Sequence, residues 1–358
     1  MPNFYERFFF PVLSQLDAET AHDWVSFSAE WAPHLPFFSS AASFLWRRPK
    51  SAILGSHVLG MNFENPLGLA AGFDKNARLL HFLPHLGFGF VEAGTVTLKP
   101  QLGNPKPRLF RLPEFEALIN RMGFNGEGAT KVAARLLKLK SPSIPRGINL
   151  GINAGTLPEE APSLYAETFK ILEPYGDYFA VNVSSPNTTG LRDLQERRHL
   201  ERILISLQAE NKNKKPILIK VSPDLEEKSL EPLCEIALKL ASGIIAANTT
   251  IQRPGLPPEV QETSGGLSGA PLRFISTQII AKIYRMTQGH LPIIGVGGVF
   301  SGADAFEKIR AGASLIQIYT ALVYRGPGVV REILSDLEEL LKANGFENLS
   351  SAVGTGVS

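Results

Sequence analysis

The 358-residue chain has one cysteine, Cys234. An internal disulfide and any multi-cysteine metal site are thereby excluded, and the composition suits a reducing compartment. No apolar run reaches 18 residues, so no spanning helix is expected. Net charge is only +2, which gives no nucleic-acid footprint. The N-terminus lacks the basic start and small-residue cleavage site of a signal peptide. His81 and His85 have the spacing of a metal pair, but Pro84 lies between them and no HExxH pattern occurs, so no metal is assigned. There is no Ser-His-Asp order, and no carboxylate pair suited to hydrolysis is evident.

What is present begins with a hydrophobic fraction of 44% and a charged fraction of 20%, the balance of a globular protein with a sizeable core. Aromatic residues crowd the start, where residues 1–48 hold 12 of the 32. Asp17 reads as the N-cap of a helix over 18–31, with Ala21, Trp24, Val25, Phe27, Ser28 and Trp31 as its apolar stripe. Residues 1–48 are read as a helical extension that either packs on the main domain or lies in a membrane interface. By count its net charge is about −2, so attraction to anionic lipid is not the obvious driver.

From residue 67 short apolar segments recur: LGLAAGF (67–73), FGFVEAGTV (88–96), GINLGINAG (147–155), YFAVNVSSP (178–186), PILIKVSPD (216–224), GIIAANTTI (243–251), LPIIGVGGV (291–299) and SLIQIYTAL (314–322). Amphipathic stretches lie between most of them. Eight buried strands alternating with helices predict an α/β fold, a (β/α)8 TIM barrel over 49–345, in preference to an open doubly wound sheet. Residues 97–145 and 252–273 are too long for plain loops and should shape or cover a site. The small, polar segment 346–358 is expected to fray.

In such a barrel the site sits at the C-terminal ends of the strands. Asp74-Lys75, Thr95, Asn149 and Asn153, the stretch ending NVSSPNTTG, Lys220, Asn248-Thr249-Thr250, Gly297-Gly298 and Tyr319-Thr320 all fall there. One buried asparagine is as often a satisfied core amide as a ligand. Amides, hydroxyls and lysines on nearly every strand describe a rim that holds something flat and rich in donors and acceptors. The glycines of GVGG, with Ser301 and Gly302 after them and Arg325-Gly326 after the last strand, favour a phosphorylated ligand. Lys75 and Lys220 on buried strands should meet anionic partners. Redox chemistry with a bound cofactor fits this inventory better than hydrolysis.

The motifs GLAAGFDKNA, EAGTVTLKPQLGNPKPRLFRL, INRMGFN, NVSSPNTTGLR, NTT followed by GGLSGAPL, PIIGVGGV and GASLIQIYTAL closely resemble dihydroorotate dehydrogenase of class 2, the membrane-associated, quinone-reducing kind. The resemblance runs from about residue 5 to about 345 and includes that class's helical extension. It implies an FMN enzyme that oxidises (S)-dihydroorotate to orotate in pyrimidine synthesis. FMN would be lined by Ala71, Gly72, Phe73, Asp74, Lys75, Thr95, Asn149, Asn182, Lys220, Ala247, Gly269, Gly298, Tyr319 and Thr320. Position 247 is alanine where the family often has threonine. Orotate would be held by Lys75, by Asn120, Arg121, Met122, Gly123 and Phe124, and by Asn182, Asn187, Asn248 and Thr249. Ser185 would be the base, with Thr188 and Phe124 at the proton outlet, while Lys75 and the amides stabilise charge on the substrate. His22, Arg111 and Tyr319 would mark a quinone channel beneath the N-terminal helices. A monomer with peripheral contact to the cytoplasmic side of a cell membrane is expected, a mitochondrial inner membrane less so. The alternatives are another FMN barrel oxidoreductase or a class 1-like enzyme linked to fumarate or NAD, which would carry cysteine at position 185.

Overall fold

The structure, a computed structural model, describes residues 3–48, 50–139, 143–188 and 190–357. Eight parallel strands close a barrel: β1 (Leu67–Leu69), β2 (Phe90–Val96), β3 (Arg146–Leu150), β4 (Tyr178–Asn182), β5 (Ile217–Val221), β6 (Gly243–Ala246), β7 (Ile293–Val296) and β8 (Leu315–Ile318). Each pairs with its neighbour in sequence, and β8 returns to β1. All eight predicted segments are therefore barrel strands. Every strand residue is buried, which is why the runs are apolar on both faces. From β2 onward each strand is followed by a helix on the outside, such as Ala161–Leu172 and Glu227–Leu240.

A hairpin, Ser56–Val58 with Met61–Phe63, plugs the N-terminal end of the barrel, where Phe63 packs edge-on against Phe90 at 5.4 Å. At the other end the two long insertions meet. Leu109–Leu112, Ala117–Asn120 and Gly266–Gly269 form one antiparallel sheet, with Asn120 opposite both Leu109 and Gly266. That small sheet roofs part of the barrel mouth.

The N-terminal helix α1 (Ala18–Trp31) starts as expected, with the Asp17 carboxylate accepting from the backbone N–H groups of Glu19 and Thr20. Its apolar stripe is not its buried face. Glu19, Ala21 and Ala29 are buried, whereas Trp24, Phe27 and Trp31 are 68%, 66% and 60% exposed. The helix is held instead by a buried bidentate ion pair: Arg108 donates from Nε and Nη2 to Glu19 at 3.0 and 2.7 Å. A second helix, α2 (Phe38–Trp46), leaves Phe44 and Leu45 exposed, and Phe4, Phe8 and Phe9 extend the apolar surface.

The C-terminal segment is ordered, contrary to the fraying expected from its composition. Leu349–Ala352 forms a helical turn capped by the Asn348 side chain, with Leu349 and Ala352 fully buried. The N–H groups of Gly354 and Gly356 donate to the carbonyls of Ile309 and Arg310. Two apolar contacts and these backbone bonds outweigh the polar composition.

Candidate functional site

A cavity opens at the C-terminal ends of the strands, with about 1160 Å3 of space counting its mouth. Of the residues named from sequence, Ala71, Gly72, Lys75, Thr95, Asn120, Met122, Gly123, Phe124, Asn182, Ser185, Asn187, Lys220, Ala247, Asn248, Thr249, Gly269, Gly298, Tyr319 and Thr320 line it. They come from every strand end except β3 and from both insertions.

The amides form one connected network. Thr95 donates from Oγ1 to Asn149 Oδ1 at 2.6 Å. Asn182 donates to Thr95 Oγ1 at 3.1 Å and to Asn149 Oδ1 at 3.2 Å. Asn248 donates to Asn182 Oδ1 at 3.2 Å and to Ser184 Oγ at 2.9 Å. With their partners met inside the protein, these side chains are held in one orientation, as a preorganised site requires. Asn149 lies one layer down and does not reach the cavity, so its place is behind Thr95 and Asn182.

The two serines of the SSPN stretch differ. Ser184 is fully buried; its hydroxyl donates to Asn182 Oδ1 and accepts from Asn248. Ser185 faces the cavity, and its oxygen accepts from the N–H of Asn187 at 3.3 Å. Asn187 donates to Asn120 Oδ1 at 3.1 Å, tying this loop to the lid sheet. Thr188 does not line the cavity, and its buried Oγ1 has no partner among the described residues. Residues 121–124 are pinned by side chains of the first insertion. Gln101 donates to the carbonyls of Gly123 and Phe124, and Asn104 to those of Arg121 and Asn187.

Lys75 and Lys220 stand in different electrostatic settings. Lys75 forms no ion pair among the described residues, and burial pulls its pKa down, opposed mainly by the charge of Glu19. An ammonium so placed calls for an anion from the cavity. Lys220 is paired with Glu92, 3.5 Å away. The carboxylates nearest to these lysines in sequence, Asp74 and Asp224, are engaged elsewhere. Asp74 accepts from the N–H groups of Arg78 and Leu79, and Asp224 pairs with Arg192 at 2.9 Å.

Several expected residues lie off the cavity. Asp74 is a turn-forming carboxylate, and burial raises its pKa. The Arg121 guanidinium is exposed and donates to Pro107 O and Ser264 Oγ. Arg111 is held by the carbonyls of Leu13, Ser14 and Leu16, so it anchors the N-terminal segment. Arg325 is also committed, to Glu6, Glu332 and the carbonyl of Phe300, and Tyr5 packs over Gly326. Ser301 caps the helix Gly302–Arg310. These residues therefore do not face a phosphate. His22 meets Phe73, behind the cavity wall, through its ring and through a hydrogen bond to the Phe73 backbone. It packs edge-on to Phe73 at 4.9 Å, and Phe73 to Tyr319 at 5.6 Å. Burial and the charge of Lys75 push the His22 pKa down to about 4, so it is neutral at pH 7. Burial pushes Tyr319 up to about 12.

The cavity fits a flavin nucleotide. Gly298 and Gly269 have φ of +67° and +105° and offer bare backbone to the cavity. Packing on the side away from the cavity also requires glycine at both: a Cβ on Gly298 would lie 2.3 Å from Arg273 Cα, and one on Gly269 would lie 2.2 Å from Glu116 O. Gln317, also on the wall, has a buried Oε1 with no partner among the described residues, an acceptor open to a ligand donor. Glu92, Gln317 and Ser268 were not foreseen from sequence. A lone charge in the apolar run FGFVEAGTV, and a lone amide in SLIQIYTAL, were the available signals.

A closed parallel barrel with a polar cavity at its C-terminal mouth, lined by glycine backbone and by an ammonium without an ion pair among the described residues, defines a barrel enzyme for a small anionic substrate and a nucleotide-like cofactor. Comparison with known proteins makes this specific. The family model described as dihydroorotate dehydrogenase matches residues 53–341. The chain is 48% identical to the dihydroorotate dehydrogenase (quinone) of Acidithiobacillus ferrooxidans, covering 96% of this chain and 98% of that one. It is equally similar to that of Gloeobacter violaceus, at 48% with 97% and 98% covered. Among solved structures it resembles the dihydroorotate dehydrogenase of Eimeria tenella in complex with ferulenol, with TM-score 0.87, 38% identity and 95% of each chain covered. The chain belongs to the dihydroorotate dehydrogenase family.

Proposed function

We propose that this chain oxidises (S)-dihydroorotate to orotate, with FMN bound in the barrel-mouth cavity and a membrane quinone as electron acceptor, as a step of pyrimidine synthesis. The curated relatives, named for the quinone-dependent reaction over nearly their whole length, support the activity. The observation that carries the reading is that Lys75, without an ion pair among the described residues, lines one cavity with Ser185, Asn187 and Asn248. An ammonium for a carboxylate, amides for an imide edge and a hydroxyl for proton removal are what dihydroorotate needs.

The substrate loses a proton from C5 and a hydride from C6, and the quinone finally receives two electrons and two protons. The flavin, when bound, supplies the acceptor for the hydride. Ser185 takes the C5 proton. Thr188, whose hydroxyl is buried without a partner among the described residues, is the next station outward, with Phe124 closing the wall. Lys75 and the fixed amides of Asn120, Asn187 and Asn248 hold the substrate's charged edge. Gly269, Gly298 and Lys220, which all line the cavity, would hold the cofactor, and the Lys220 ammonium would stabilise its reduced, anionic form. Quinone enters along the His22, Phe73 and Tyr319 rings beneath α1.

Among the described residues no helix is long and apolar enough to cross a membrane. The exposed aromatics of the N-terminal helices supply peripheral attachment, on the cytoplasmic face of a cell membrane and as a monomer. The test is spectroscopic. The purified protein should be yellow, bleach with dihydroorotate under nitrogen, and recolour with quinone but not with fumarate or NAD. A colourless protein, or one that dihydroorotate leaves yellow, would overturn the reading.

A further inference from the structure

Glu92 stands inside the barrel on β2 and is 1% exposed. A carboxylate there is expensive unless every lone pair finds a donor. Four other strands each send one. Tyr178 on β4 donates its hydroxyl to Oε2 at 3.1 Å, and Gln317 on β8 donates Nε2 to the same oxygen at 2.8 Å. Asn149 on β3 donates to Oε1 at 2.8 Å, and Lys220 on β5 lies 3.5 Å from Oε1. The barrel makes room for this arrangement: a Cβ on Gly147 would fall 2.1 Å from Tyr178 Cζ, so only glycine lets that ring lie where its hydroxyl meets Glu92.

Glu92 does not line the cavity, but two of its partners do, Lys220 and Gln317. A carboxylate can only accept, so it fixes which way the Gln317 amide faces. The NH2 turns toward Glu92, and Oε1 is left buried, with no partner among the described residues, on a residue of the cavity wall. A buried ion pair of this kind is often no more stabilising than well-packed apolar side chains of the same volume. Stability alone is thus a weak reason for gathering five strands around one charge.

We propose that Glu92 is a positioning residue for the reaction: it orients Lys220 and Gln317 toward the cofactor ring and, by pairing the Lys220 charge, sets the reduction potential of the bound flavin. The inference rests on reading this cavity as the flavin site. The hydride from dihydroorotate brings two electrons to the ring and leaves it more negative. A nearby ammonium favours that state, and a carboxylate behind the ammonium offsets it. The pair keeps the flavin reducible by dihydroorotate while leaving it able to pass the two electrons on to quinone.

The experiment is an anaerobic redox-dye titration of the purified holoprotein as wild type, Glu92→Gln and Glu92→Asp, with flavin content and thermal midpoint measured alongside. Removing the negative charge leaves Lys220 unopposed, so the flavin potential of Glu92→Gln should rise. At a fixed dye poise its oxidised-to-reduced ratio should fall about tenfold, the effect of one charge acting through a partly polar interior. Flavin reduction by dihydroorotate should be preserved and reoxidation by quinone slowed. Glu92→Asp keeps the charge but draws it back from Lys220, so its potential should lie between the other two. It decides the matter if Glu92→Gln fails to retain flavin. Three coincident potentials, or a fall in Glu92→Gln, would overturn the inference even if the wild type is yellow and bleaches with substrate. A wild type without flavin would instead defeat the assignment of the cavity.

Discussion

At the barrel mouth Asn149, Asn182 and Lys220 are buried behind apolar strands; along α1 Trp24, Phe27 and Trp31 lie open to solvent. Each region reverses the usual placement of its residue type. The reversals are made tolerable in different ways. The buried amides and the lysine are bonded to one another and to Glu92, so their desolvation is met inside the protein. The exposed rings touch only near neighbours in sequence, Phe27 with Trp31 and Trp31 with His34, among the ring contacts of the described residues, and an open apolar patch of this kind points to a second surface. The two regions are joined at the Glu19–Arg108 pair. Arg108 also donates to the carbonyls of Leu102 and Asn104, next to the side chain that holds the Ser185–Thr188 loop.

The sharpest way to break the contrast is at the mouth. Ser185→Ala should slow flavin reduction by dihydroorotate about 10²–10⁴-fold in stopped-flow, with flavin content unchanged. Ser184→Ala, one residue away, should leave that rate nearly intact and lower the melting temperature instead, because its hydroxyl serves Asn182 and Asn248. Near-wild-type reduction by the Ser185 variant would remove it as the base.

The junction comes next. Glu19→Ala leaves the buried Arg108 guanidinium without its carboxylate, a change that costs about 3–5 kcal/mol where neither partner reaches solvent. Guanidinium unfolding curves should show that loss at neutral pH. Arg108 outweighs the effect of burial and holds the Glu19 pKa below the usual carboxylate range, so its contribution is present at neutral pH and fades as acid protonates it. The difference between wild type and variant should therefore shrink toward low pH.

The exposed helices give a smaller effect. Each large apolar side chain contributes about 1.5–3 kcal/mol when fully buried, so replacing Trp24, Phe27 and Trp31 together by serine should cut vesicle partitioning at least about tenfold in a flotation assay. Turnover with a short-chain, water-soluble quinone should be unchanged. Equal flotation of the two proteins would separate these rings from the membrane.

The smallest effect concerns His22, which sits between the regions. Its pKa is depressed in the folded chain, to about 4 from an ordinary 6.5, so the stability it carries is present above pH 6.5 and is lost as pH falls toward 4. His22→Gln should make the thermal midpoint less sensitive to acid by about 2–4 °C across that window, as read by calorimetry.

The barrel was legible in the sequence because parallel strands buried on both faces appear as near-continuous apolar runs, and polar residues at the ends of those runs mark the mouth. The lid sheet was not. Leu109–Leu112 is half-buried throughout and Gly266–Gly269 is half glycine, so neither shows an alternating pattern. Glu92 stood out only as one charge in an apolar run, since its partners arrive from four other strands. The stripe on α1 was visible, but not which side it would face, because a buried Glu19 bonded to Arg108 decides the packing of that helix against its apolar pattern. The choice between Ser184 and Ser185 came from family resemblance; the structure adds a physical difference, one hydroxyl facing inward to Asn182 and the other lining the cavity.

The pairing of the two insertions also has a meaning in time. Asn120 meets Gly266 across 146 positions of chain, and β8 must arrive before it can close against β1. At a synthesis rate of ~5–20 residues per second, the segment carrying Asn120 waits roughly 7–30 s for its neighbour. Lys75, Asn120 and Ser185 are all made well before they share a wall. An enclosed site is thus among the last things the nascent chain acquires, and a cofactor that needs the glycines at 269 and 298 can be captured only near the end of translation.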